Sequence, residues 1–389
     1  MKAFEIKKNV YWVGAIAWEL AEFHGYLTQR GSTFNAYLIL DEKITLVDTV
    51  KATHKDQMFA RIKSIIDPAK IDIVISNHTE MDHSGAIPDV MDLCKNATLI
   101  CSPHGETGLN KHYDTSKWNF KVVQMHDTVN IGKRDLSFIL MPMVHWPDSM
   151  ATYVKQDKLL MPNDLFGQHM ATYERFVNDA EFDIVMEEAQ KYFANILLPY
   201  SRQSTNAVSE IVKLDLDMIA PSHGLIWRDK DVQKIFKAYE LWDANAVKDK
   251  AVIVYDTMWG STEKMANSVY RAFEKLDIPV KLKSLKKYHI SDIMTDILDS
   301  KYICVGSPTL NNTLMPTVAS FLYYLKGLRP KNRIALAFGS FGWGGQSVKE
   351  IEEIFKFLNF EILDTVTYEY VPHEEDLDKI EKDLEDELK

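Results

Sequence analysis

His78-Thr79-Glu80-Met81-Asp82-His83 follows the apolar run Ile71-Asp72-Ile73-Val74-Ile75-Ser76-Asn77 and leads into Ser84-Gly85. Four side chains able to ligate a metal stand within six positions. Packed into a core without a partner, each would carry a desolvation cost, so the pattern points to a shared cation. In a turn leaving a strand, alternate side chains project the same way. His78, Glu80 and Asp82 are therefore expected to converge, with His83 facing a neighbouring point. That geometry suits two adjacent ions better than one.

The residue types narrow the metal. Zinc hydrolases of the metallo-β-lactamase type use a similar turn with His at the second ligand position, a nitrogen-rich set. Here that position is Glu80. A carboxylate makes the site harder and more anionic, which favours iron or manganese over zinc. Iron changes oxidation state and zinc does not, so the expectation moves from hydrolysis towards redox chemistry.

Three later residues share the strand-end setting. His145 opens His145-Trp146-Pro147-Asp148-Ser149-Met150 after an apolar run, Asp164 follows Leu159-Leu160-Met161-Pro162-Asn163, and His223 follows Ile219-Ala220-Pro221-Ser222 and precedes Gly224. Taken singly, each is more simply a hydrogen-bonded structural group. Together the four loops give four His and three carboxylates, too many for one tetrahedral ion and suited to two metals with a bridging carboxylate. The negative charges offset most of a diferrous pair. His24, in Phe23-His24-Gly25-Tyr26, is kept as a group behind the ligands. The remaining histidines, among them His104, His112, His126, His169, His289 and His373, lack the strand-end setting and are left out.

With 389 residues the chain has room for two cores. The net charge of −11 argues against a nucleic-acid surface and against anionic membranes. No apolar run is long enough to span a bilayer, and the first residues do not read as a signal peptide. Cys94, Cys101 and Cys304 form no C-x-x-C pair and read as free thiols of a cytoplasmic protein, with no iron–sulfur or rubredoxin centre.

The rhythm changes near Asp249-Lys250-Ala251, predicting domains at 1–249 and 250–389. The first mixes strands and helices. Strands are predicted at Val10–Gly14, Ala36–Leu40, Ile44–Asp48, Ala97–Ser102, Lys121–Met125, Leu136–Val144, Ala151–Val154, Lys158–Pro162 and Met218–Pro221, with a helix over Lys55–Ile66. So many strands suggest two packed sheets with helices outside. The second alternates. Strands are predicted at Ala251–Tyr255, Val280–Ser284, Tyr302–Gly306, Arg333–Phe338 and Ile362–Tyr370. Helices are predicted at Glu263–Leu276, Ser291–Leu298, Pro316–Leu328 and Val348–Leu358. This is the pattern of a doubly wound parallel sheet. The acidic last helix, Glu374–Leu388, reads as a solvated face.

Three strand-end loops of the second half read together. Thr257-Met258-Trp259-Gly260-Ser261-Thr262 offers hydroxyls and helix-N-terminal amides to a phosphate monoester. It is neither G-x-x-x-x-G-K-[ST] nor G-x-G-x-x-G. Ser307-Pro308-Thr309-Leu310-Asn311-Asn312 and Ser340-Phe341-Gly342-Trp343-Gly344 add close backbone approach and rings to flank a flat cofactor.

At this point the chain resembles the flavodiiron proteins over essentially its whole length. The resemblance is carried by His78-x-Glu80-x-Asp82-His83, His145-Trp146-Pro147-Asp148-Ser149, Asn163-Asp164-x-Phe166-Gly167-Gln168, Pro221-Ser222-His223-Gly224 and the three flavin-type loops. It implies a metallo-β-lactamase-like αββα sandwich followed by a flavodoxin-like domain, in the simplest class, without an appended rubredoxin or flavin reductase. It implies two irons and one FMN. One iron would take His78, Glu80 and His145, the other Asp82, His83 and His223, with Asp164 bridging; family members differ at the His83 position. Reduction of dioxygen to water or of nitric oxide to nitrous oxide is the implied activity, with rubredoxin or a reduced deazaflavin coenzyme among the donors. A head-to-tail homodimer, or a dimer of dimers, is implied, with Trp343 and the Trp146 loop candidates to line its contact. Two other classes stay open: a dinuclear zinc hydrolase fused to a flavodoxin-like module, and a non-catalytic electron carrier.

Overall fold

Seven strands lie side by side in chain order: Phe4–Lys7, Val10–Trp12, Tyr37–Ile39, Thr45–Val47, Ile73–Ser76, Thr98–Cys101 and Asn119–Val122. The last four are mutually parallel. Their side chains alternate between two apolar layers, as the twofold period of a strand requires. Val47, Ile75 and Ile100 point into one layer, while Leu46, Val74 and Leu99 point into the other. The first layer is shared with a second, six-stranded sheet that contributes Leu136, Phe138, Met150, Val154 and Met161. The other is covered by helices Lys55–Lys63, Ile87–Leu93 and Pro103–His112 through Met58, Ile62, Val90 and Leu109. Helix Ser201–Ile211 contacts strand Asp135–Leu140 of the second sheet, so helix, sheet, sheet and helix form a sandwich in which central strands are apolar on both faces.

This computed structural model describes residues 1–389. It divides into two units: Met1–Tyr192 with Tyr200–Glu240, and Phe193–Pro199 with Leu241–Lys389. In the second unit the sheet order is Val280–Ser284, Lys248–Tyr255, Ser300–Gly306, Ile334–Phe341 and Glu361–Ile362, all parallel. That is the doubly wound arrangement, and its loops open at the carboxyl edge.

Several boundaries differ from the sequence expectation. The strand predicted over Leu136–Val144 ends at Leu140, because Pro142 has no N–H for a ladder and Met143 is left-handed (φ 66°). Lys121–Met125 is moved back to Asn119–Val122. The span Met218–Pro221 keeps only Met218–Ile219, and Ile362–Tyr370 splits into Glu361–Ile362 and Val366–Glu369. Helix Glu374–Leu388 is more than a solvated face. Leu377, Ile380 and Leu384 pack on Met265, Val269 and Ala272, and the buried Glu381 pairs with Arg271 and Lys275.

Candidate metal centre and flavin cradle

Four loops leaving strands of the first unit meet at one edge. Strand Ile73–Ser76 is followed by Asn77 to Glu80 and then a helical turn, Met81–Ser84. That turn overturns the expected alternation. Asp82 does not continue the row of His78 and Glu80 but swings round beside His83. The donors fall into two groups, His78, Glu80, His145 and Asp164, and Asp82, His83 and His223. Within each, one ligand atom per residue lies within 4.8 Å of the others.

Asp164 faces both groups. Its Oδ2 is 3.2 Å from His145 Nε2 and 3.7 Å from His78 Nε2. Its Oδ1 is 3.0 Å from His83 Nε2 and 3.4 Å from His223 Nε2. Glu80 Oε2 is 3.3 Å from both His78 and His145, and Asp82 Oδ2 is 3.2 Å from both His83 and His223. Donors each ~2.1 Å from one tetrahedral ion stand roughly 3.4 Å apart, so these separations fit a cation in each group. Both oxygens of Asp82, both ring nitrogens of His83 and Oδ1 of Asp164 are buried and make no hydrogen bond. Atoms this close that do not bond one another are aimed at common points.

The electrostatics agree. Burial alone would raise the Asp164 carboxyl, but the charge of His83 and the contacts of His145, His223 and His83 hold it well below the usual carboxylate range. Burial alone would lower the imidazoles, yet the carboxylates raise His145 to about 9 and His223 to about 10. Such a site exchanges protons for metal ions.

Behind these donors, hydrogen-bond partners fix the rings of His78 and His223. His78 Nδ1 donates to Asp148 Oδ2 at 3.0 Å, and Asp148 also accepts from the amide of Thr79 at 2.6 Å. His223 Nδ1 is 2.8 Å from the carbonyl of Thr33, which can only accept, so Nε2 is left as the lone-pair nitrogen. The buried Asp48 accepts from the amide and side chain of Asn77 at 2.7 and 3.0 Å and from Asn163 at 3.3 Å, tying together the residues that precede His78 and Asp164. His24 stands 2.9 Å from Glu80 Oε1 on a short hairpin. His169, set aside on sequence grounds, is fully buried 4.7 Å (ring to ring) from His223 and bonded to Ser32 at 2.7 Å. Nothing local marks it, because it arrives from the loop after Asp164. Asp148 had a signal: it sits three residues after His145 in a stretch otherwise without charge.

In the second unit, Thr257, Met258, Trp259, Ser261, Pro308, Thr309, Asn311, Asn312, Ser340, Phe341, Gly342, Trp343 and Gly344 line one cavity of about 610 Å³. Tyr370 and Val371, which the sequence did not single out, complete it. Gly260, Thr262 and Ser307, also expected at this site, do not line the cavity. Gly260 takes the left-handed turn (φ 91°) into helix Ser261–Lys275. Thr262 bonds Ser340 at 2.9 Å, and Ser307 accepts from the amide of Met315 at 3.1 Å. The first amides of that helix have no partner in their own helix and suit a phosphate.

Comparison with known proteins agrees with both units. The family model of the ODP family beta lactamase matches residues 33–224, and that of flavodoxin matches residues 253–383. The chain is 46% identical to the nitric oxide reductase of Moorella thermoacetica, over 96% of this chain and 95% of that protein. It is 40% identical to the rubredoxin-oxygen oxidoreductase of Megalodesulfovibrio gigas, over 98% and 96%. The crystal structure of the flavodiiron protein from Giardia intestinalis superposes with a TM-score of 0.97 at 33% identity, covering 100% of this chain and 96% of that one. The chain belongs to the flavodiiron protein family. Within that family the dinuclear zinc hydrolase reading is not favoured, and Glu80 in place of a histidine is the residue that speaks against it. No helix of this flavodiiron protein is long and apolar enough to cross a membrane.

Proposed function

We propose that this flavodiiron protein reduces dioxygen to water or nitric oxide to nitrous oxide. In this reading His78, Glu80 and His145 would hold one iron and Asp82, His83 and His223 the other, with Asp164 shared between them. The observation that carries it is the division of Asp164, with one oxygen turned to each group. The loops at Thr257–Thr262, Ser307–Asn312 and Ser340–Gly344 would hold FMN, its phosphate on the amides and hydroxyls that open helix Ser261–Lys275. When bound, the iron pair would bind and reduce a diatomic, with FMN supplying the electrons.

The chain's own residues do the rest. Asp148 and the Thr33 carbonyl keep Nε2 of His78 and His223 inward. Phe23, 4.1 Å from the ring of His24 and 5.5 Å from that of His169, walls the site with apolar surface and limits water. Domains at 1–249 and 250–389, a rubredoxin-type donor (the partner named for the relative above) and a head-to-tail dimer belong to the same proposal. Trp259 and Trp343, 93% and 89% exposed at the cavity mouth, are the surface such a dimer would cover.

The test is Asp164→Ala. Because one carboxylate serves both ions, its loss should release both metals together while FMN stays bound, as measured by metal and flavin content of one sample. Wild-type iron with normal gas consumption would show that the bridge lies elsewhere.

A further inference from the structure

Strand Lys248–Tyr255 pairs in parallel with Val280–Ser284, Tyr255 opposite Ser284. The two chains therefore leave the sheet side by side, one into Asp256-Thr257-Met258 and the other into Leu285-Lys286-Lys287. The second exit is tied down: Leu285 donates to the Tyr255 carbonyl at 2.9 Å and Lys287 to the Ser284 carbonyl at 2.9 Å. From this fixed turn the Lys286 ammonium donates to the Thr257 carbonyl and lies 3.4 Å from Asp256 Oδ1. Asp256 is 1% exposed; it accepts from the Thr257 amide at 2.6 Å and from the Thr317 hydroxyl.

We propose that Lys286 is a positioning residue of the flavin site, which aims the phosphate-binding amides and offsets the negative charge of Asp256 where the cofactor's phosphate monoester binds. The inference rests on the flavin reading above. A trans peptide is planar, so the Thr257 carbonyl and the Met258 N–H point in opposite directions. Holding the carbonyl towards Lys286 turns that N–H away from it, on the residue that lines the cavity. A phosphate monoester carries nearly two negative charges, and a buried carboxylate beneath its loop repels it unless a cation is paired there. Among side chains bonded to residues 256–260, Lys286 supplies that cation. Glu263, the nearby carboxylate at the start of the helix, is engaged by the Tyr255 hydroxyl at 3.0 Å.

FMN and riboflavin, which lacks the phosphate, should be titrated by flavin fluorescence into flavin-depleted full-length wild type, Lys286→Met and Lys286→Arg. Lys286→Met should weaken FMN about three- to tenfold, and riboflavin by less than about twofold. Lys286→Arg should recover most of the loss. Rising salt should weaken FMN binding to wild type more steeply than to Lys286→Met, and should do so against Lys286→Gln if the methionine variant does not fold. Equal FMN affinity in wild type and Lys286→Met overturns the inference alone, as does an equal loss of FMN and riboflavin. A wild type that binds neither flavin overturns the flavin reading and the inference with it.

Discussion

Asp148 touches no shared metal point, yet the His78 ring depends on it. It accepts from His78 Nδ1 and from the Thr79 amide, so one carboxylate fixes both the tautomer and the rotation of a fully buried ring proposed as a ligand. Burial works against its ionised form, but the hydrogen bonds and charge of His78 and the hydrogen bonds of Thr79 together hold the carboxyl below its ordinary value. Residues in this position tune basicity and orientation and are worth roughly 10–100-fold in metal affinity. Asp148→Ala should therefore weaken iron retention by about that factor, read by chelator competition, with flavin content unchanged. Asp148→Asn keeps an acceptor without the charge and should fall between. Unchanged iron affinity in both would mean that His78 is held by packing against Trp146, 5.1 Å away.

The element that delivers His223 turns on Gly224. Its φ is +77°, and an added Cβ would lie 1.6 Å from Gln168 Oε1 and 2.3 Å from the Gln168 carbonyl. Gln168 cannot move aside freely, because that Oε1 accepts from Leu225 N at 2.6 Å and its amide group donates to the Leu225 carbonyl at 3.0 Å. Gly224→Ala combines left-handed strain with overpacking and should cost ~3 kcal/mol or more, seen as a lowered denaturation midpoint. Loss of metal from the Asp82, His83 and His223 group should accompany it. Elements of this kind were unevenly legible. In the second unit, long apolar strands alternate with amphipathic helices, so Val280–Ser284, Pro316–Leu328 and Glu374–Leu388 fall where the pattern puts them. In the first, strands of three or four residues barely complete one alternation, and hairpins such as Glu22–Phe23 with Tyr26–Leu27 leave no periodic trace. The donor types of the metal cluster were readable because six adjacent positions hold four of them. The helical turn at Met81–Ser84 was not, since a four-residue helix has too few positions to show a period. Residues such as His169 and Asp48 reach the centre only through tertiary packing.

At the scale of the whole molecule, the two sites are built from separate hydrogen-bond systems. Asp48, Asn77, Asp148 and the Thr33 carbonyl shape the metal site within the first unit. Asp256, Ser340 and Ser347 shape the proposed flavin cradle within the second; Ser347 donates to the Ser307 carbonyl at 3.1 Å. Ligand binding stabilises the unit that holds it and leaves the other's local equilibrium alone. Flavin-depleted protein should therefore keep its two irons, and chelated protein should keep its FMN. Function should not divide the same way. With electrons entering through FMN, flavin-depleted protein should retain metal yet consume no dioxygen or nitric oxide when supplied with a reduced rubredoxin-type donor. Added FMN should restore uptake to an extent set by flavin occupancy. The measurement pairs metal content and flavin absorbance with gas uptake on one sample. Donor-driven gas consumption at full rate in protein stripped of flavin would show that electrons reach the metal site by another route, and the flavodoxin unit would then need a different role.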